Sequence, residues 1–324
     1  RAARFDDPAP RGGVSAGMRI IGSDKPMTRD GLALALGYFD SVHQGHRRVF
    51  ETANAYRDAH PGTRSAALTF RNNLSAAVKA DAKEIYPYAE RKSLIAACGI
   101  DYLLPLTFTP ALKALSAAAF LDRLTAAVRV EAFVCGADYR FGQGRAGDVR
   151  FLRDYGAERG IAVVVTPKAD RAGQKISTSG IKALLKAGDA AGAAALLHRP
   201  YTLTGRVVHG RGQGHLFGFP TANIAPPPEK FLPKEGVYAC RVWIGKGRRT
   251  AYCAVANVGA KPTFGDPTPG VEALIDGFSG DLYGQTVTLS VLRYLRPIRV
   301  FDSPAALRAQ IGRDMESAKS GAAL

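Results

Sequence analysis

The chain has 324 residues, 46% of them hydrophobic, and its 44 Lys and Arg against 28 Asp and Glu leave a formal net charge of +16. That length accommodates two domains with separate cores, and the charge calls for anionic partners such as phosphorylated small molecules, nucleic acid or a membrane surface. No apolar stretch reaches the roughly 18 to 20 residues of a membrane-spanning helix, the best one, 111–135, being broken by Lys113, Asp122, Arg123, Arg129 and Glu131.

The first residues lack the apolar core of a secretory signal, so a cytoplasmic protein is expected. The run Leu32 to Gly37 predicts a buried strand, and 47–59 predicts an amphipathic helix. Between them lies Gly37-Tyr-Phe-Asp-Ser-Val-His-Gln-Gly-His46. A helix N-terminus presents unpaired N–H groups and a partial positive charge to an anion, and Gly45 lets backbone come close to it. His43 and His46 would add donors aimed at phosphoryl oxygens. Surface histidines without a role are the competing reading of that tetrapeptide taken alone.

Further along, the runs Ser65 to Phe70, Asp101 to Leu106, Val130 to Cys135 and Ile161 to Thr166 predict strands. Helices are expected around Tyr88 to Cys98, Ser116 to Val128 and Asp148 to Arg159. This alternation predicts an α/β domain with a parallel, doubly wound, Rossmann-like sheet over 17–198, with ligands at the carboxyl ends of its strands. After Arg199-Pro200 the chain changes to β-branched runs separated by Gly and Pro: Tyr201 to His209, Gly236 to Gly245, Thr250 to Gly259 and Gln285 to Leu295. A closed antiparallel barrel is expected over 199–320, ending in a helix capped by Ser303 and started by Pro304.

Cys98, Cys135, Cys240 and Cys253 stand singly, without the CxxC spacing of zinc or redox sites, and are read as reduced core residues. Basic residues are dispersed rather than interleaved with aromatics in a nucleic-acid-binding pattern, so neither nucleic acid nor a membrane is the expected partner. Nothing indicates an oligomer. In the barrel half, Gly210, Gly212 and Gly214 precede Phe219-Pro-Thr-Ala-Asn223. The glycines suit a flap whose N–H groups face phosphate, and Thr221 and Asn223 offer oxygens suited to Mg²⁺. A plain glycine-rich turn is the alternative for the glycines by themselves.

The first decapeptide resembles the HxGH signature of nucleotidyltransferases, and the string around Pro220-Thr-Ala-Asn223 resembles that of riboflavin kinases. In this order, with Gly136-Ala-Asp-Tyr-Arg-Phe-Gly142, Ile176-Ser-Thr-Ser-Gly-Ile-Lys182, Asn257-Val-Gly259 and Gly280-Asp-Leu-Tyr-Gly284, the two halves resemble the prokaryotic bifunctional riboflavin kinase/FMN adenylyltransferase family. The resemblance implies an adenylyltransferase domain followed by a six-stranded barrel kinase. Riboflavin would be phosphorylated by ATP to FMN, and FMN adenylylated by ATP to FAD, with Mg²⁺ in both steps.

By the same resemblance, His43 and His46 contact the ATP phosphates, and Gly37, Phe39, Asp40, Gly45, Asp138, Ser177, Thr178, Ser179 and Lys182 belong to the nucleotide and phosphate site. Glu272 would be the kinase's general base, and Thr221 and Asn223 the metal ligands. The chain departs from the family pattern at several points. Tyr38 replaces Asn, Ser41 replaces Gly, Arg71-Asn72-Asn73 replaces Pro-His-Pro, and Lys182 replaces Arg. In the barrel, Leu274 stands in place of His, Gly277 in place of Asp, and Ile298 in place of an acidic residue. Alongside the bifunctional enzyme these departures leave two other readings: an adenylyltransferase with a degenerate barrel, and a catalytically silent flavin- or nucleotide-binding paralogue.

Overall fold

The computed structural model describes residues 17–22, 28–74, 82–167, 170–171, 174–209, 221–245, 250–261 and 266–321. They form two compact units, the first ending at Thr178 and the second starting at Ser179.

In the first unit, β1 (Arg19–Ile20), β2 (Gly31–Leu36), β3 (Thr63–Phe70), β4 (Tyr102–Leu106), β5 (Val130–Gly136) and β6 (Ala162–Thr166) form a parallel sheet in the order β1-β4-β3-β2-β5-β6. All six residues of β2 are buried, which is why the strand reads as a continuous apolar run instead of an alternating one. Connections from β2 run through β3 to β4 on one side and later through β5 to β6 on the other. The strand order therefore reverses between β2 and β5, where such sheets bind ligands.

The helices are α1 (Gln44–Ala59), α2 (Tyr88–Ala96), the single turn α3 (Pro110–Lys113), α4 (Ala117–Ala127) and α5 (Val149–Arg159). Their starts follow local chemistry: Ser116 Oγ accepts from Ala119 N–H at 3.2 Å, and Asp148 Oδ1 from Phe151 N–H at 2.9 Å. Leu34, Leu68, Phe133, Leu121 and Leu152 meet in the core between sheet and helices. A short antiparallel pair, β7 (Asp170–Arg171) and β8 (Gln174–Lys175), precedes α6 (Thr178–Ala187).

The second unit contains α7 (Ala190–Leu197), capped by Asp189, and the strands β9 (Tyr201–Val208), β10 (Thr221–Ala225), β11 (Gly236–Ile244), β12 (Ala251–Lys261), β13 (Asp266–Ile275) and β14 (Thr286–Arg296). They close antiparallel in the order β10-β13-β12-β11-β14-β9, with β9 pairing back onto β10. Ala222, Ile224, Val258, Val271 and Ala273 are buried, while the residues between them on β10 and β13 face the other way. The final helix, α8 (Pro304–Gly321), starts where Ser303 Oγ accepts from Ala306 N–H at 3.2 Å. It packs Met315 and Ala318 against Val237, Ala239 and Val255.

Candidate active sites

A cleft of about 640 Å³ opens at the carboxyl ends of β2, β3, β5 and β6. His43, Gly45 and His46 from the start of α1, Gly136 at the end of β5, Asp138 and Arg140 after it, and Ser177 and Thr178 line it together. Phe70, Phe108, Phe120 and Phe141 add aromatic walls. Polar side chains and aromatic surface thus share one crevice.

The turn that presents the imidazoles is tightly determined. His43 is the N-cap of α1, its Nδ1 accepting the N–H of His46 at 3.2 Å. That bond leaves Nε2 as the atom of His43 that can turn outward as a donor. The two rings stack with centroids 3.7 Å apart and planes 17° from parallel. Phe39 has a left-handed backbone, φ 58°, and its ring lies edge-on to His46 at 5.3 Å and against Phe50 at 4.5 Å. A side chain at Gly37 has no room, because a Cβ there would sit 2.6 Å from the Phe39 ring. Asp40 is buried and accepts Tyr86 N–H at 3.2 Å, a bond that ties this turn to the segment before α2.

Beside the turn lies a buried ion pair that sequence reasoning missed. Arg91 Nη1 donates to Glu84 Oε1 at 2.8 Å, with side-chain exposures of 0% and 3%. The single hydrogen of the Tyr38 hydroxyl is shared between the same Glu84 oxygen and, at 3.4 Å, Asn73 Oδ1. Burial first, and then the Glu84 hydrogen bond and charge, push the Tyr38 phenol well above its ordinary value. The signal in the sequence was Arg91 itself, a charged residue on the apolar side of a helix with Leu94 and Ile95.

Of the expected nucleotide-site residues, Gly37, Phe39, His43, Gly45, His46, Asp138, Ser177 and Thr178 line the cleft. Asp40, Ser179 and Lys182 are not among its lining residues. The Lys182 ammonium lies 5.7 Å from the centre of the Phe231 ring. Ser41, at one of the departures, places its hydroxyl 3.0 Å from that of Thr178. Asn72 pairs twice with the backbone of Phe108, at 2.8 and 2.9 Å, so this replacement closes a loop through its own side-chain amide.

In the barrel, Asn223 of β10, Glu272 of β13 and Asn257 of β12 are register partners on three adjacent strands. Directly opposite residues of antiparallel strands bring their side chains together on one face. Thr221 Oγ1 completes the group by donating to Glu272 Oε1 at 2.5 Å. Gly210, Gly212 and Gly214 lie outside the described residues. Among the described residues no set of three or more His, Cys, Asp or Glu side chains is arranged as a metal cage. The oxygens of Thr221, Asn223 and Glu272 are hard donors, however, which fit Mg²⁺ completed by phosphate and water. Of the three barrel departures, Leu274 packs, partly buried, against the apolar cluster under α8, Ile298 Cδ1 lies 2.9 Å from where a Cβ on Gly259 would stand, and Gly277 is an exposed turn residue with φ 68°.

Comparison with known proteins matches the family model for FAD synthetase to residues 25–180 and that for riboflavin kinase to residues 197–321. The bifunctional riboflavin kinase/FMN adenylyltransferase of Listeria monocytogenes is 30% identical, covering 94% of this chain and 98% of its own. The Escherichia coli protein of the same description is 33% identical over 90% and 93%. The crystal structure of a macrolide-efflux protein from Streptococcus pneumoniae superimposes with a TM-score of 0.81 at 30% identity, covering 93% of this chain and 98% of that one. Among the described residues of the present chain, no helix is long and apolar enough to cross a membrane.

Proposed function

The chain belongs to the family of bifunctional riboflavin kinases/FMN adenylyltransferases, and we propose that it makes FAD in two ATP-dependent steps. Riboflavin is phosphorylated to FMN in the barrel unit, and FMN is adenylylated to FAD with release of pyrophosphate in the sheet unit.

The observation that carries the adenylyl step is the His43–His46 stack at the start of α1, on the cleft where the strand order reverses. No protein nucleophile is needed, because an FMN phosphate oxygen attacks the α-phosphorus of ATP and the bond to pyrophosphate breaks. The protein aligns two anions and stabilises the charge that develops on the leaving group. His43, His46 and the first N–H groups of α1 bind the phosphates, assisted by Ser177 and Thr178. Asp138 and the aromatic walls orient nucleotide and flavin.

In the kinase step, Glu272 accepts the proton of the terminal ribityl hydroxyl as that oxygen attacks the γ-phosphorus. Thr221 and Asn223 would hold Mg²⁺, which when bound neutralises phosphate charge. The family implies a divalent cation, and Mg²⁺ is the one this donor set favours. We place the reactions in the cytoplasm, where the thiols of Cys135, Cys240 and Cys253 would stay reduced.

The purified protein is incubated with Mg²⁺ and ATP plus either riboflavin or FMN, and the flavins are separated. FMN and FAD from riboflavin support both steps. FAD from supplied FMN alone would leave the kinase barrel silent, and no product from either would refute the enzymatic reading.

A further inference from the structure

Desolvating a buried ion pair costs several kcal/mol per ion, and such pairs are weak sources of stability. Arg91 and Glu84 nevertheless form one, fully buried, against Tyr38 and Phe70, which line the cleft. Four pieces of chain converge there. Arg91 on α2 also donates to the carbonyl of Phe70 at the end of β3, at 2.6 Å, and to that of Tyr86, at 3.1 Å. Its guanidinium lies 4.6 Å from the centre of the Tyr38 ring. Asn73 accepts from Tyr38 and donates to Ala82 O at 2.5 Å.

Two of the departures from the family pattern are therefore bonded to each other: the Tyr38 hydroxyl reaches Asn73, which stands in the segment replacing Pro-His-Pro. Tyr38 is held at both ends, since its carbonyl accepts the Thr69 hydroxyl at 2.7 Å while its phenol is held by Glu84 and Asn73. The next residue is Phe39, whose left-handed backbone sets its ring over Gly37 and edge-on to His46.

We propose that Tyr38, anchored by Glu84, Arg91 and Asn73, is a positioning residue for adenylyl transfer, acting through Phe39 to fix the His43–His46 pair against the leaving phosphates. The proposal rests on the assignment of adenylyl transfer to this cleft. A hydroxyl group bonded to a buried carboxylate defines the tilt of the ring that bears it, and a displacement of about 1 Å in groups that stabilise a transition state costs up to roughly a hundredfold in rate. Such a residue affects turnover more than substrate binding.

The test uses the full chain and the substitution Tyr38→Phe, which keeps the ring and removes both phenol hydrogen bonds. FAD formation from FMN by the unsubstituted protein checks the assignment itself; if it forms no FAD, both that assignment and the proposal fall. With an active reference, Tyr38→Phe is expected to lower kcat for FAD formation roughly tenfold or more, with KM for ATP and FMN within about twofold. Riboflavin phosphorylation in the same preparation and the thermal midpoint should be unchanged. An unaltered kcat, a change confined to KM, or an equal fall in the kinase rate would overturn the proposal while leaving the assignment standing. Should Tyr38→Phe lower the midpoint, Asn73→Ala decides: reduced kcat at constant KM supports the network, and unreduced kcat refutes it.

Discussion

The Thr221 hydroxyl donates to the Glu272 carboxylate across 2.5 Å, joining β10 to β13 diagonally, next to the directly opposed pair Asn223 and Glu272. A hydroxyl-to-carboxylate bond of this kind holds the anion in one orientation while its second oxygen keeps acceptor capacity for a substrate proton. Replacing Glu272 by Gln preserves shape and removes the base. Riboflavin phosphorylation should fall by about 10²- to 10⁴-fold, while FAD formation from added FMN continues. Chromatography of the flavins in parallel reactions checks this, and equal loss of both activities would assign Glu272 a role in folding.

His46→Ala should have the opposite selectivity. It removes one ring of the stacked pair and one donor for the departing phosphates, and FAD formation from FMN should drop by about 10²-fold. FMN formation from riboflavin should persist, measured on the same sample. Retained FAD formation would exclude His46 from the chemistry.

Thr221→Val deletes the hydroxyl but keeps the branched shape of a strand residue. The Mg²⁺ concentration for half-maximal riboflavin phosphorylation is expected to rise at least roughly tenfold, with no corresponding change for FAD formation. A magnesium titration of each reaction distinguishes a metal ligand from a residue that only orients Glu272, which would alter kcat at unchanged metal dependence.

Arg296 and Asp314 clamp α8 to β14 through a paired contact: Nη2 to Oδ2 at 2.7 Å and Nε to Oδ2 at 2.9 Å. Their side-chain exposures are 17% and 6%. Asp314→Ala leaves a poorly solvated guanidinium without this partner and should cost about 1.5–3 kcal/mol of stability. Denaturant unfolding followed by the fluorescence of Trp243, which lies on β11 of the same unit, reads the loss. An unchanged midpoint would mean that apolar packing of Met315 and Ala318 alone secures the helix.

Much of the sheet unit was legible because its signals are local. The strand ends shifted by a residue or two, from 65–70 to Thr63–Phe70 and from 130–135 to Val130–Gly136, and Ser116 and Asp148 cap the helices they precede. The barrel was less legible. Strands β10 and β13 were not among the predicted runs, although their motif residues Thr221, Asn223 and Glu272 were singled out, because β10 has only five residues and β13 contains Pro267, Pro269 and Gly270. For the Tyr38–Glu84–Arg91 group, Arg91 on the apolar side of α2 signals a buried partner, but its members lie 46 and 7 residues apart and nothing local says which residues meet it.

The amino-acid order by itself determined the two fold classes, the order of the units and the identity of the motif residues. Hydrophobic periodicity, capping and turn chemistry act over a few residues and leave a readable trace. Tertiary structure alone decided which of those residues share a surface: His43, His46, Asp138, Ser177 and Thr178 meet on one cleft, whereas Ser179 and Lys182, from the same motif, are not on it. It also decided that Tyr38 meets Asn73 and that Leu274 packs against the cluster under α8. Those outcomes depend on burial and hydrogen-bond geometry between distant segments, where the cost of an unsatisfied group selects partners that sequence spacing does not record.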